Sequence, residues 1–134
     1  MKKRFVVLSG AGISAESGIA TFRGSDGLWE GYSIEEVASP EGFARNPELV
    51  LDFYNQRRKN VMESKPNIAH KLIAKMEDQF EVLVVTQNVD DLHERAGSSH
   101  VYHLHGEIIK ARSIRNPEVV VTLESPYLRM GDLG

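Results

Sequence analysis

Phe5 to Ser9, with Val6 and Val7 inside it, is a short unbroken apolar run that ends at Gly10. A strand with one wet face alternates apolar and polar residues. A continuous run instead suits a strand buried on both faces, as in a parallel sheet. The chain is therefore expected to open with a central strand. A second run, Phe80 to Thr86, carries Val82, Leu83, Val84 and Val85, and a shorter third spans His100 to Leu104.

The stretches between these runs read mostly as helix. Ser33 to Val37 and Pro40 to Arg45 are short candidates. Pro47 opens a longer one to about Met62, with proline tolerated in the first turn. Pro66 opens another, on which Ile68, Leu72, Ile73 and Met76 fall on one stripe. Strands alternating with helices predict an α/β domain built on a parallel sheet. Ser17 to Gly31 has neither period and reads as a structured functional loop.

Composition narrows the function. With 134 residues, 41% hydrophobic and 26% charged, the chain suits one ordinary soluble domain. A net charge of −3 without a Lys/Arg tract argues against nucleic acid or anionic lipid as a partner. The absence of cysteine excludes disulfides, thiolate zinc and a cysteine nucleophile, leaving histidine with carboxylate as the metal option. The apolar run before Gly10 is too short for a signal sequence or a membrane span, so a cytoplasmic location is expected.

Three clusters carry chemistry. Gly10-Ala11-Gly12-Ile13-Ser14-Ala15 fits G-x-G-x-x-G/A directly after a strand. Glycines there admit a pyrophosphate close to the backbone, and the alternative is a purely structural turn. No acid closes a second strand about 20 residues on, which fits poorly with a hydride-transfer enzyme. Thr86-Gln87-Asn88-Val89-Asp90-Asp91 ends the second strand, where open parallel sheets bind ligands. Its amides and carboxylates suit a ribose or carboxamide, or else Asn88 or Asp90 caps a helix from Asp91 to Arg95. His103-Leu104-His105-Gly106 closes the third strand, and alternation places both histidines on one face. A histidine there could serve as a general base or a metal ligand, whereas His70, His93, His100 and His103 taken singly read as structural.

These clusters, together with Ser17-Gly18-Ile19 and Thr21-Phe22-Arg23-Gly24, resemble the motifs of sirtuins, the NAD-dependent protein-lysine deacylases, in identity, order and spacing. The likeness covers Phe5 to about Arg112, compact bacterial members being closest. It implies a partial Rossmann-like parallel sheet with helices on both faces, plus a cysteine-free remnant of the small domain. Residues 1–110 would be the N-terminal part of the NAD-binding domain with its cofactor loop and helical insert. Residues 111–134 would begin the small module, metal-free here, with the remainder of the family fold absent.

The resemblance also implies roles. Gly10, Ala11, Gly12 and Ser14 would hold phosphates, and Phe22 and Arg23 would belong to the cofactor loop. Ser14, Asn88 and Asp90 would line the nicotinamide pocket, and Gln87 would bind ribose. The acyl-lysine oxygen would attack the ribose as nicotinamide leaves, with His105 as the base. The substrate supplies the nucleophile, so one base and a water-excluding site suffice.

On the helix from Pro47, Val50, Phe53, Tyr54, Arg57 and Val61 recur at helical spacing. An inward arginine needs a partner, and from the pattern alone a core acid serves. The Tyr-x-x-Arg pair also resembles that of sirtuins preferring succinyl, malonyl or glutaryl lysine, which implies that Tyr54 and Arg57 bind the distal acyl carboxylate. Partners would then be acylated-lysine proteins. Self-association, or pairing with the missing C-terminal portion, is expected of the fragment. The competing readings are a truncated, non-catalytic NAD or ADP-ribose binder and, more distantly, a histidine-based metalloprotein.

Overall fold

The computed structural model describes residues 1–21 and 28–132. In chain order the elements are β1 (Lys3–Ser9), α1 (Gly12–Ala15), β2 (Leu28–Trp29), β3 (Tyr32–Ser33), α2 (Ile34–Val37), α3 (Pro40–Arg45) and α4 (Pro47–Glu63). There follow α5 (Ile68–Lys75), a 3-10 turn (Met76–Asp78), β4 (Phe80–Thr86), α6 (Leu92–Ala96), β5 (Val101–His103), β6 (Lys110–Arg112) and β7 (Val120–Thr122). The chain divides into two compact units, one of Met1–Thr21 with Glu63–Glu107, the other of Phe22–Met62 with Ile108–Gly134.

The first unit is α/β, with β1, β4 and β5 forming a parallel sheet in the order β1-β4-β5. Lys3 faces Phe80 and Ser9 faces Thr86 along one ladder, and Thr86 faces His103 along the other. All three strands therefore end on the same edge. The central strand is β4, whose Val82, Val84 and Thr86 are buried. The expectation of a central, doubly buried first strand is corrected: β1 lies at the sheet edge among the described residues. Phe5, Val6 and Leu8 are 44%, 61% and 77% exposed. The apolar pattern records burial that no described element supplies.

The fourth helical expectation shifts as well. Asn67, not Pro66, caps α5: its side chain accepts from Ala69 N–H, and its own N–H donates to His70 Nδ1. The stripe read on α5 is not a core face, since Ile68 and Leu72 are exposed while His70 is fully buried. The helix turns its imidazole inward, and α5 packs on α6 there. The third strand stops at His103, so Leu104 and His105 lie in a turn and strand alternation does not place them.

In the second unit, Glu30 and Gly31 form the two-residue turn of the β2–β3 hairpin with φ of 51° and 86°. Such a turn wants positive φ at both positions, which glycine accepts freely and glutamate only under strain. Ser33 caps α2 in a reciprocal box with Glu36, and Ser39 caps α3 ahead of Pro40. The core contains Val37, Val50, Phe53, Val61 and Ile108. Trp29, Tyr32 and Tyr54 meet Phe53 edge to face. β6 and β7 form an antiparallel hairpin, and Ser113 Oγ accepts from the N–H groups of Arg115 and Asn116 in the turn between them.

Candidate functional site

The interior of the first unit is unusual in kind. Its buried apolar residues are Val82, Val84 and Leu92, whereas Ser14, His70, Thr86, Asn88, Asp90 and His93 are buried beside them. Burying so many polar groups is costly unless each finds a partner, and here nearly all do. Ser14 Oγ donates to Asp90 Oδ2 at 2.8 Å and sits 3.4 Å from both Asn88 Nδ2 and His70 Nε2. Asn88 Nδ2 also donates to Gly10 O at 3.0 Å, so the glycine turn and the end of β4 are tied together. Asp90 Oδ1 meanwhile accepts from Leu92 N–H at 3.1 Å. One carboxylate thus accepts from the first residue of α6 and from Ser14.

The hydrogen bonds fix the tautomers. His70 Nδ1 accepts from Asn67 N–H, so its proton sits on Nε2 and points at Ser14. His70 therefore cannot act as a base on Ser14, and a serine-nucleophile triad is ruled out by polarity. Ser9 Oγ donates to Thr86 Oγ1 at 2.8 Å, so it accepts from His93 Nε2 at 2.9 Å. His93 Nδ1 is left buried with no hydrogen-bond partner among the described residues. Burial lowers the pKa of both rings, with Asp90 opposing and Arg95 assisting at His70. At His93 the nearby His70 reinforces the effect. Both are neutral near pH 7.

Gly10 and Gly12 follow β1 at the same sheet edge. A side chain built on either would meet nothing within 4 Å, which leaves the space a phosphate would need. The helix after them spans only Gly12–Ala15, so any phosphate cradle rests on the glycine backbone rather than on a helix dipole. Gln87 is exposed and extends the ladder through its N–H to Ser9 O at 3.0 Å. His105 is exposed in the turn after β5, free to reach a substrate. Phe22 and Arg23 lie outside the described residues.

Tyr54 and Arg57 belong to α4 in the second unit. The structural arginine of that helix is Arg58, which the helical pattern had not singled out. Its Nε donates to Ile108 O at 2.6 Å, and its Nη1 donates to Asn55 Oδ1 and Pro126 O at 2.8 Å. Arg57 is different. Its guanidinium lies over the Phe53 ring at 5.4 Å, and its Nη1 is 3.0 Å from Glu30 Oε2. That contact is an ion pair off the N–H direction, because buried Nε and Nη1 have no hydrogen-bond acceptor among the described residues. Burial raises the Tyr54 pKa, which keeps its phenol protonated.

One trio of potential metal ligands occurs among the described residues, Glu94, His103 and Glu107, with ligand atoms within 4.8 Å of one another. It does not pair His103 with His105, as strand alternation had suggested. Sequence reasoning gave His70, His93 and His103 structural parts. It did not foresee that two of them, with Asn67, Ser9 and Thr86, would brace the proposed pocket, although the capping pattern Asn67-x-x-His70 was a signal for one.

A parallel sheet with a glycine turn after its first strand and a polar cluster after the next is the arrangement of open α/β proteins that place ligands beyond the carboxyl ends of their strands. Residues 10–126 match the Sir2 family, and the chain belongs to it. It is 60% identical over 131 residues to an NAD-dependent protein deacylase of Helicobacter pylori strain ATCC 700392 / 26695, covering 98% of this chain and 57% of the relative. A protein of the same name from Bacteroides thetaiotaomicron is 56% identical, with 97% and 58% covered. Among solved structures, a Sir2 homologue–NAD complex is 47% identical with a TM-score of 0.83, covering 93% of this chain and 49% of that one. A Sir2 homologue mutant–ADP-ribose complex is 45% identical with a TM-score of 0.86, covering 98% and 52%. The chain spans about half the length of these relatives, from 49% to 58%.

Proposed function

We propose that the whole protein is an NAD-dependent protein-lysine deacylase that transfers the acyl group to ADP-ribose and releases nicotinamide. The observation that carries this reading is the buried Ser14–Asn88–Asp90 network, joined to Gly10 at the carboxyl edge of the sheet. NAD supplies the nicotinamide leaving group and the sugar that accepts the acyl group. Gly10, Ala11 and Gly12 would hold its phosphates, Gln87 its ribose, and Ser14, Asn88 and Asp90 the carboxamide, with Phe22 and Arg23 closing over the ribose. His105 would take the proton from a ribose hydroxyl. The relatives' names and their NAD and ADP-ribose complexes support the assignment.

The acyl preference is for succinyl and malonyl lysine, with acetyl lysine also accepted. Its support is the unmet hydrogen-bonding capacity of Arg57 next to a protonated Tyr54. A guanidinium fork suits a distal carboxylate. Substrates are acylated-lysine proteins, and a Sir2 complex with a deacetylated p53 peptide is among the similar structures. We assign residues 1–110 to NAD binding and 111–134 to the small module, with 22–62 of the first stretch forming one compact unit with 108–134. We place the protein in the cytoplasm; no helix among the described residues is long and apolar enough to cross a membrane.

Release of nicotinamide from NAD with succinylated and acetylated peptides tests the reading. Release that depends on the acyl peptide sustains it, and none from the complete protein refutes it. A second reading, a non-catalytic NAD or ADP-ribose binder, is favoured for the 134-residue chain alone by the exposed Phe5, Val6 and Leu8 of β1. Those side chains and the open strand edge suit self-association or pairing with a further portion of the fold. Light scattering of the isolated chain separates these states from a monomer.

A further inference from the structure

His103 is the buried histidine whose two ring nitrogens both face acceptors. Its side chain is 5% exposed, with Nε2 at 2.7 Å from Glu94 Oε2 and 3.8 Å from Glu107 Oε1. Nδ1 lies 2.8 Å from the carbonyl oxygen of Asn88. A carbonyl cannot donate a hydrogen bond, and neither can an ionised carboxylate. Both nitrogens must therefore carry protons, which makes the ring an imidazolium held by a charge-assisted bond.

The electrostatics agree. Burial opposes the charge on His103, but the bonds to Glu94 and Asn88 and the charges of Glu94 and Glu107 outweigh it and raise the pKa. Burial would likewise raise the Glu94 carboxyl, yet its bond to His103 brings it below the usual range. The other titratable group facing the ring, His93 on α6, is kept neutral by burial. A divalent ion fits the trio less well. Two ligands of a tetrahedral zinc at about 2.0–2.1 Å lie roughly 3.3 Å apart, wider than the separation of Nε2 and Oε2.

Three segments meet at this ring: the Asn88 loop after β4, α6 through Glu94, and the turn after β5 that carries His105 and Glu107. We propose that His103 is a positioning residue for the reaction, clamping the Asn88 backbone to α6 and to the turn, and thereby setting Asn88 and His105 in register. The proposal rests on the roles given to Asn88 and His105 above. The clamp is fully present below the ordinary imidazole pKa and is lost as pH rises through the raised value.

The test uses the complete protein, with nitrogen-15 spectra of its histidine rings and the pH profile of nicotinamide release. His103 should show both ring N–H groups at pH 6.5, the ordinary imidazole value, where an unshifted ring would be half deprotonated. Glu94→Gln should lower the pH at which the ring loses its proton and move the alkaline limb of the profile down with it. His103→Gln should abolish that limb and reduce kcat/KM for NAD about tenfold, the loss expected from one charged hydrogen bond. A ring that carries a single N–H at pH 6.5, or an alkaline limb that Glu94→Gln leaves in place, would overturn the proposal. So would stoichiometric zinc that His103→Gln releases. An inactive wild type would refute the deacylase reading and the positioning role with it, while the ring spectra would still decide whether the imidazolium clamp exists.

Discussion

Replacing Arg57 with Met keeps an unbranched side chain on α4 and removes the guanidinium that lies over Phe53. In the structure that group has one ion-pair partner, Glu30 Oε2 at 3.0 Å, while its buried Nε and Nη1 lack hydrogen-bond acceptors. The native fold should lose little, because a partly exposed ion pair contributes about 0–1 kcal/mol. A bound succinyl carboxylate should lose much more. Removing one partner of a buried, hydrogen-bonded charge pair costs about 2–5 kcal/mol, and each 1.4 kcal/mol is tenfold. Arg57 remains 20% exposed and already has Glu30 nearby, so the lower end applies. The expected loss in kcat/KM on succinyl-lysine peptide is about thirtyfold to a few hundredfold, with acetyl-lysine changed less than about threefold. Steady-state nicotinamide release on both peptides reads this directly. Glu30→Gln is the reverse perturbation: it removes the resident carboxylate and should lower KM for the succinyl peptide alone. Equal losses on both peptides in Arg57→Met, or a drop in its urea midpoint large enough to explain them, would make Arg57 a structural residue.

Further outcomes test other parts of the account. His105→Ala should lower deacylation below about a tenth of wild type while NAD binding stays measurable by calorimetry, because a base serves the reaction rather than ground-state affinity. Gly42→Ala should destabilise the fold by about 1–3 kcal/mol in urea titration, since an added Cβ would lie 2.5 Å from Glu35 O and also collide with Glu36 O. A wild-type midpoint in that variant would contradict the α2–α3 packing. Stability should also fall as pH drops below 6.5, the ordinary imidazole value. His70 and His93 are depressed in the fold, so the unfolded chain binds more protons there. In His103→Gln, which removes the opposing titration of that ring, a urea midpoint that is flat between pH 7 and 5.5 would show that neither ring is buried neutral.

What the sequence made legible was what short-range pattern controls. Pro40 marks the start of α3, the apolar run Phe80 to Thr86 coincides with β4, and the Gly10–Ser14 turn follows β1 as its glycines require. Asn88 and Asp90 were legible as polar groups at a strand end, where parallel sheets place ligands. Apart from the Asn67 cap of α5, which a local pattern carried, the misses are long-range. No local pattern tells that Arg58, one residue from Arg57, is the arginine whose donors are used up by Ile108, Asn55 and Pro126. Nor does one tell that His103 faces Glu94 while His105 faces solvent, because the strand ends between them.

The exposed first strand has the same origin, and it separates two kinds of sequence information. Val6 and Leu8 are chosen for burial, yet they are 61% and 77% exposed. Ser14, Asn88 and Asp90 are polar, yet they are 1%, 8% and 3% exposed. An apolar residue left in water forfeits stabilisation of roughly 25 cal/mol per Å2 of its surface, whereas a buried polar network costs stability unless every member is partnered. The first unit therefore carries the first penalty on its strand edge and, in its interior, the second at His93 Nδ1. Packing alone accounts for neither. The interior is explained if its polar groups are held ready for the nicotinamide and ribose, and the edge is explained if β1 is covered when the protein works. The two explanations make one joint demand: covering β1 should raise the stability of the first unit without altering the Ser14–Asn88–Asp90 hydrogen bonds.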